Sequence, residues 1–296
     1  MMRKSVCILI IAVVIIGLAF GGCSEKDKQN AAAPGLRIVA LTAADVEILY
    51  AIGAGDMLVG RGEYCNYPPE ALEIMAVQSG YETNIEQIIA LEPQLVIMSK
   101  MDQTEEQMRQ LESAGIECFI TDAQDIEGTY EVIRLIGELT GRDEAAENLG
   151  NGMKNTFAQL HEKAAAAAGG VKKSIYFEVS PLEFGLWTAG TDTFMDEVAE
   201  LLCLENAFGD VVWWAEISEE QVLERNPDYI LTVGMYFGDG PTPIESILSR
   251  PGWNSIEAVK NQAILNLTDD ELSRPGPRLA DGAVMLYEFV YGGGTL

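Results

Sequence analysis

The phrase "EQIIALEP" (Glu86 to Pro93) returns as "EQVLERNP" (Glu220 to Pro227), and a short apolar run follows each, "QLVIMS" and then "DYILTV". A short helix stopped by proline and leading into a buried strand is one unit of a parallel α/β sheet, whose two faces must both be covered. Packing on such a sheet accounts for the apolar matches between the copies. It does not account for a glutamate standing seven residues before the proline in both. Two similar halves, each presenting one acidic residue at an equivalent place, would. At 296 residues the chain can bury two cores of ordinary size.

The rest of the chain fits that division. "RIVAL", "MLVGRG", "LVIMS" and "ECFIT" read as strands. Helices are expected over "AADVEILYAIG", "NIEQIIALEP", "TEEQMRQLESAG" and "IEGTYEVIRLIGELTG", with Gly53 and Gly115 as stops and Thr104 as a cap. From about Arg142 to Ala168, Ala146, Leu149, Met153, Phe157, Leu160 and Ala164 recur every three or four residues. That stripe predicts one helix of about 40 Å, a rigid connector between two halves. In the second half "SIYFEVS", "DYILTVG" and "QAILNLT" read as strands. "DTFMDEVAELLCLENAFG", "SEEQVLERNP", "TPIESILSRPGW" and "GPRLADGAVMLYEFVYG" read as helices. The expected fold class is α/β: two lobes, each with a central, mostly parallel sheet flanked by helices, joined by one long α-helix. The expected division is an α/β lobe over 37–141, the connecting helix over 142–168, and a second lobe over 169–296.

The first residues carry a different signal. Arg3 and Lys4 precede an apolar run from Val6 to Phe20, which ends at Gly21, Gly22 and Cys23. A charged start, a short apolar stretch and small residues at its end form a secretion signal over 1–22. The run is shorter than the roughly 20 residues a membrane span needs. Its ending resembles the lipobox of bacterial lipoproteins, in which the cysteine, here Cys23, becomes the lipidated first residue. Phe20 stands where leucine is usual. Residues 23–36 then read as a polar tether to a membrane reached through that lipid. The formal charge of −27 repels phosphate backbones, so nucleic acid is excluded as a partner.

With Cys7 removed and Cys23 lipidated, Cys65, Cys118 and Cys203 remain, none at zinc spacing. Cys118 and Cys203 sit among apolar residues and are expected to be buried; the sequence names no disulfide. The single histidine, His161, falls in the middle of the connector, a poor place for a catalytic base or a metal ligand. Asp269 to Glu271, beside Arg274, is the only carboxylate run with an acid–base reading, and such runs are more often solvated loops.

Aromatic residues beside turns are the better signals. Tyr64 and Tyr67 flank Cys65 ahead of Pro68 and Pro69, Trp187 falls in a loop after "SIYFEVS", and Trp213 and Trp214 precede the second Glu-Gln helix. All stand near predicted carboxyl ends of strands, where open α/β sheets bind ligands. Broad aromatic faces match a large planar or apolar ligand, although the same residues could simply plug an interface. Arg274, next to Pro275, could pair with a ligand carboxylate or phosphate. Arg278 reads as a helix-start or surface residue.

Together, "RIVALTAADVEILYAIGAGDMLVGRGEYCNYPPEA", "NIEQIIALEPQLVI", "SEEQVLERNPDYIL" and "RPGPRL" resemble the class III substrate-binding proteins of bacterial ABC importers for vitamin B12, ferric siderophores and haem. The likeness runs from about Arg37 to Tyr291. It implies two α/β lobes on one rigid helix with the ligand between them. It also implies a glutamate on each lobe, here Glu86 and Glu220, docking onto a roughly two-fold permease that works with ATPase subunits. It maps Tyr64 and Trp214 onto cleft aromatics and Arg274 onto a cleft arginine; Tyr81, beside Gly80, and Trp187 and Trp213, from the other lobe, complete the expected ligand-binding set. Gly80 and Ser99 stand where vitamin-B12 binders can carry tryptophan. The resemblance further implies a monomer with no resident cofactor. The cargo would be a bulky metal chelate, a cobalt corrinoid in preference to an iron siderophore or haem. An extracytoplasmic cleft enzyme, and an adhesion or sensor lipoprotein with a vestigial cleft, are the readings from other classes.

Overall fold

Ile38–Ala40 (β1) is buried along its whole length, and its neighbours explain why: it is the central strand of a five-stranded parallel sheet. From it the chain runs through α1 (Ala43–Ala51), β2 (Leu58–Gly62), β3 (Ala76–Val77), α2 (Ile85–Ala90), β4 (Leu95–Ser99), α3 (Glu105–Ser113), β5 (Glu117–Thr121) and α4 (Ile126–Thr140). In space the order is β3-β2-β1-β4-β5. The chain therefore builds outward on one side of β1, then returns to build the other. The computed structural model describes residues 35–80, 82–100, 105–234, 240–267 and 270–292. Cys23, Tyr81, Thr104 and Asp269 lie outside the described residues, as do the signal and most of the tether.

The helix α5 (Asp143–Ala168) has 26 residues, about 39 Å at the usual rise. Its expected stripe is the buried one: Ala146, Met153, Phe157, Leu160 and Ala164 are buried, and Leu149 packs partly buried against the same cluster. Gly141, at φ 66°, ends α4 in a left-handed turn that swings the chain back into α5. The two helices then pack so closely that a Cβ on Gly137 would lie 2.5 Å from the Cβ of Ala146.

The second half contains β6 (Lys173–Glu178), β7 (Leu186–Ala189), α6 (Phe194–Leu201), β8 (Leu204–Asn206), β9 (Trp214–Ile217), α7 (Glu219–Arg225), β10 (Tyr229–Thr232), α8 (Pro243–Ser249), α9 (Glu257–Lys260), β11 (Ile264–Asn266) and α10 (Leu279–Tyr291). Its main sheet is parallel, in the order β11-β10-β6-β8, and β7 and β9 form a separate antiparallel ribbon. The fold is thus α/β, with two parallel sheets flanked by helices and one long helix between them in the chain.

Several expectations need correction. The run over "DTFMDEVAELLCLENAFG" is not one helix: it stops at Leu201, Cys203 takes a left-handed φ of 58°, and Leu204–Asn206 pairs with β6 as an edge strand. Trp187 is in strand β7, not a loop, and Trp214 opens β9. Cys65 is the buried thiol, whereas Cys118 and Cys203 are only half-buried, and all three are free. Arg278 is buried at the start of α10 rather than on the surface. Nor does α10 rest on the second sheet alone. Near its end Phe289 meets Tyr229 edge-on with ring centroids 6.0 Å apart, while Arg278 reaches back to Glu47 in α1.

Candidate functional site

A cavity of about 360 Å³ opens at the carboxyl end of the first sheet. Thr42, Ala44 and Asp45 follow β1, Ser99 ends β4, and Thr121 to Gln124 end and follow β5. Strand order reverses between β1 and β4, and the loops part there because consecutive crossovers leave in opposite directions. Phe194 and Trp214, from the second half, form the opposite wall, with Ser273, Arg274 and Pro275 at the edge. The lining is mostly apolar with a few polar groups, the usual character of a ligand site.

The aromatic wall is held in place. Phe194 and Trp214 lie 5.4 Å apart at an interplanar angle of 57°. Gln124 ties both to the first half: its side-chain oxygen accepts from Trp214 Nε1 at 3.4 Å, and its carbonyl accepts from the Phe194 amide at 2.8 Å. Nearby, the Ile126 amide donates to Glu197 Oε2 at 2.6 Å.

Two carboxylates in the lining have opposite surroundings. Asp45, the third residue of α1, is 1% exposed. Burial pushes its carboxyl up to about 6, against the hydroxyls of Thr42 and Thr121, which favour the charged form. Both hydroxyls reach the same oxygen, Oδ2; the Thr121 bond is 3.1 Å. Asp122 is solvated, and hydrogen bonds from Gln124 and Lys100 hold it below the usual carboxylate range.

Arg274 lines the cavity but its charge is already engaged. Nη1 donates to Glu47 Oε1 at 3.0 Å and to Asn66 Oδ1 at 2.8 Å, and Nη2 donates to Asp270 and to the Tyr64 carbonyl. Asp270 also accepts from Asn66 and Ser273, so this carboxylate is committed to holding the loop. Cys65 is a core residue beneath: burial pushes its thiol up to about 12, and it donates to the Leu41 carbonyl at 3.8 Å. His161 is exposed on α5, with Nδ1 2.9 Å from the Leu201 carbonyl. Among the described residues no group of three or more His, Cys, Asp and Glu is arranged to hold a metal ion.

Of the expected ligand residues, then, the cavity brings together Trp214 and Arg274. Tyr64, Trp187 and Trp213 are outside its lining and are 70%, 39% and 51% exposed. Trp187 is nonetheless related to the wall. The ribbon pairs Trp187 with Glu216 and Ala189 with Trp214, so the two tryptophans share one face as diagonal neighbours.

Glu86 and Glu220 occupy the same position, the second residue of α2 and of α7. In α2, Asn84 Oδ1 accepts from the Gln87 amide at 3.0 Å. In α7, Ser218 Oγ accepts from the Gln221 amide, and Gln221 Oε1 accepts in return from the Ser218 amide at 2.9 Å. The second glutamine of the repeated phrase thus closes a capping box, whereas the Gln87 side chain accepts instead from the Gln78 amide at 3.2 Å. Ile88 and Val222, next on the same turn, are buried against their sheets. Both glutamates are exposed, and among the described residues neither has an ion-pair partner. The Glu220 amide and the Ser218 hydroxyl hold the Glu220 carboxyl below the usual range. Each helix leads into a parallel strand, β4 or β10, so each amino end lies at the carboxyl edge of its own sheet.

Sequence reasoning missed Asp45, Thr42, Thr121, Gln124 and Phe194. One signal was present for Asp45: an acid in the first helical turn with Val46, Ile48 and Leu49 after it, directly behind a buried strand.

The periplasmic binding protein family matches residues 38–271. The ABC transporter substrate-binding lipoprotein YvrC of Bacillus subtilis is 34% identical over 258 residues, 86% of this chain and 80% of that one. The vitamin B12-binding protein of Salmonella typhimurium is 35% identical over 254 residues, 84% of this chain and 88% of its own. Among solved structures, a possible iron-binding periplasmic solute-binding protein of Staphylococcus epidermidis is 31% identical with a TM-score of 0.70, covering 86% of this chain and 98% of its own. The chain belongs to the periplasmic binding protein family and is an ABC-importer substrate-binding protein of the vitamin B12, siderophore and haem type.

Proposed function

We propose that the protein is a lipid-anchored, extracytoplasmic, monomeric receptor that captures a cobalt corrinoid in the cavity and delivers it to an ABC permease. It makes and breaks no covalent bonds. The observation that carries the reading is the Phe194–Trp214 pair, set across a mostly apolar cavity from the carboxyl ends of the first sheet. Such a wall gains by stacking on a broad, conjugated ring system. The Salmonella relative is named as a vitamin B12-binding protein, which supports the same cargo. At about 360 Å³ the cavity is near the lower end of ligand sites, so a corrinoid enters edge first and the halves part to seat it. Trp187 then extends the aromatic face outward, and Tyr64, Tyr81 and Trp213 are assigned to the ligand as well.

Glu86 and Glu220 are assigned to docking. A helix amino end favours a carboxylate, and an exposed one with no ion-pair partner among the described residues is available to an arginine on another protein. Exposed pairs contribute little affinity singly; two at fixed spacing orient the receptor and speed its association. Cys23 carries the lipid, and the tether lets the receptor reach the permease. A ferric siderophore or haem is the second reading of the cargo, supported by the iron-binding description of the Staphylococcus relative.

Titration of the mature protein with cyanocobalamin, cobinamide, haemin and a ferric siderophore panel, followed by tryptophan fluorescence, tests the reading. Saturable quenching is expected with the corrinoids. Quenching by none of them would overturn it.

A further inference from the structure

We propose that Asp45 is the selectivity group of the cavity: its Oδ1 accepts a hydrogen bond from an uncharged N–H donor on the ligand, so the site favours carboxamide-bearing chelates over carboxylate-bearing ones. The inference rests on the reading of the cavity as a metal-chelate site and deepens it.

The geometry carries the argument. Asp45 is buried beside Thr42 and Thr121 at the reversal between β1 and β4, in the cavity that Phe194 and Trp214 also line. Its side-chain hydrogen bonds, from Thr42 and Thr121, both end on Oδ2. Among the described residues Oδ1 has no donor. An acid at the third helical position usually earns its place by closing a capping box with the backbone of the cap residue. Here Thr42 accepts from the Asp45 amide at 3.3 Å, but the carboxylate bonds to hydroxyls instead, and no box is formed. Capping therefore does not explain the acid. Oδ1 is not sealed in the core: it is reachable from the cavity, where a ligand donor can meet it.

The charges around it set the sign of selection. Asp122, from the loop after β5, faces the same cavity. Arg274, from the loop before α10, is the cation in the lining, and Glu47 and Asp270 already balance it. Arg278 is paired with Glu47 and lies away from the lining. The Cys65 thiol behind β2 is neutral because burial pushes it up to about 12. Lys100 balances Asp122 from 3.1 Å, so the field in the cavity is that of the Asp45 carboxylate. A corrinoid, whose rim carries carboxamides, offers donors to it. Haem, with two propionates, brings like charge into a low-dielectric space.

Calorimetric titration of the wild-type protein and Asp45→Asn with cobinamide and with haemin, at pH 7.5 and pH 5.0, tests this. Burial pushes the Asp45 carboxyl up to about 6, so it is charged at the first pH and neutral at the second. Wild-type affinity for cobinamide is expected to fall about fivefold at pH 5.0, the difference between a charged and a neutral acceptor. Asp45→Asn is expected to lose about as much at pH 7.5, to show no change with pH, and to bind haemin more tightly than wild type. Thr121→Val removes one donor from Oδ2 and is expected to move the midpoint of the pH response upward, a readout that does not need Asp45→Asn to fold. Equal affinities and pH profiles for wild type and Asp45→Asn, or an unmoved midpoint in Thr121→Val, would overturn the role of Asp45 alone. Absence of binding to any chelate at either pH would instead overturn the cargo reading.

Discussion

Arg278 grips both carboxylate oxygens of Glu47, 231 residues earlier in the chain, with Nε 2.9 Å from Oε2 and Nη2 2.7 Å from Oε1. Both side chains are buried, and the Tyr67 ring lies 4.0 Å from the guanidinium. With Arg274 on the same carboxylate, this pair fastens the start of α10 to α1. The first half is thereby held by the last helix as well as by α5.

Removing Glu47 takes the two-pronged partner from a buried guanidinium and leaves Glu271 Oε1 3.9 Å away, too distant to replace it. Glu47→Ala is expected to lower the unfolding free energy by about 3–5 kcal/mol in urea titration. Replacing both residues with apolar ones of similar volume should recover much of that loss. A Glu47→Ala protein as stable as wild type would show that the clasp contributes nothing to the fold.

Asp45 predicts the opposite sign. Its folded carboxyl lies near 6, above the ordinary 3.8, so the folded state holds a proton that the unfolded state has lost. Stability from this group is full below about pH 4 and declines as pH rises through about 6. Asp45→Asn should therefore be more stable than wild type at pH 7.5, on the order of 2–3 kcal/mol, and equal to it near pH 3.5. Thermal melts at the two pH values decide it. A binding group held at the expense of stability is a common compromise in functional sites. If Asp45→Asn is less stable at pH 7.5, the carboxylate is structural.

The strand "LVIMS" was legible as β4 because burial on both faces leaves little choice of residue, and "ECFIT" kept enough apolar character to be read as β5 although it is a half-buried edge strand. The β7–β9 ribbon was not, since "LWTA" and "WAEI" are four residues each and pair across an intervening helix and strand. Likewise Leu204–Asn206 continues the apolar spacing of α6, and only its pairing with β6 marks it as a strand. The site divided the same way. Trp214 and Arg274 stood out as large groups beside turns. Asp45, Thr42 and Thr121 are ordinary polar residues whose convergence depends on the ends of β1 and β5 meeting.

Close packing of α4 on α5 can be tested at one atom. A methyl group at Gly137 would meet Ala146 at 2.5 Å, so Gly137→Ala should destabilise by about 1–3 kcal/mol despite its better helix propensity. Adding Ala146→Gly should restore most of the loss in guanidinium unfolding. No change in the single variant would mean that the two helices part easily.

The docking assignment separates binding from transport. Glu86→Gln with Glu220→Gln keeps both helix starts, because the caps are Asn84 and Ser218. Cargo affinity should match wild type, while uptake into liposomes carrying the permease and its ATPase falls by tenfold or more, on the order of two charge-assisted contacts. Raising the salt should weaken wild-type uptake toward the level of the variant. Unchanged uptake would remove these residues from the interface.

The central claim is that the aromatic-walled cavity holds a bulky metal chelate, and calorimetry of wild type and Trp214→Ala with cobinamide tests it most directly. The account predicts saturable binding of one ligand per chain, weakened about tenfold or more when the indole is removed, with circular dichroism unchanged. Equal affinity in the two proteins would contradict it.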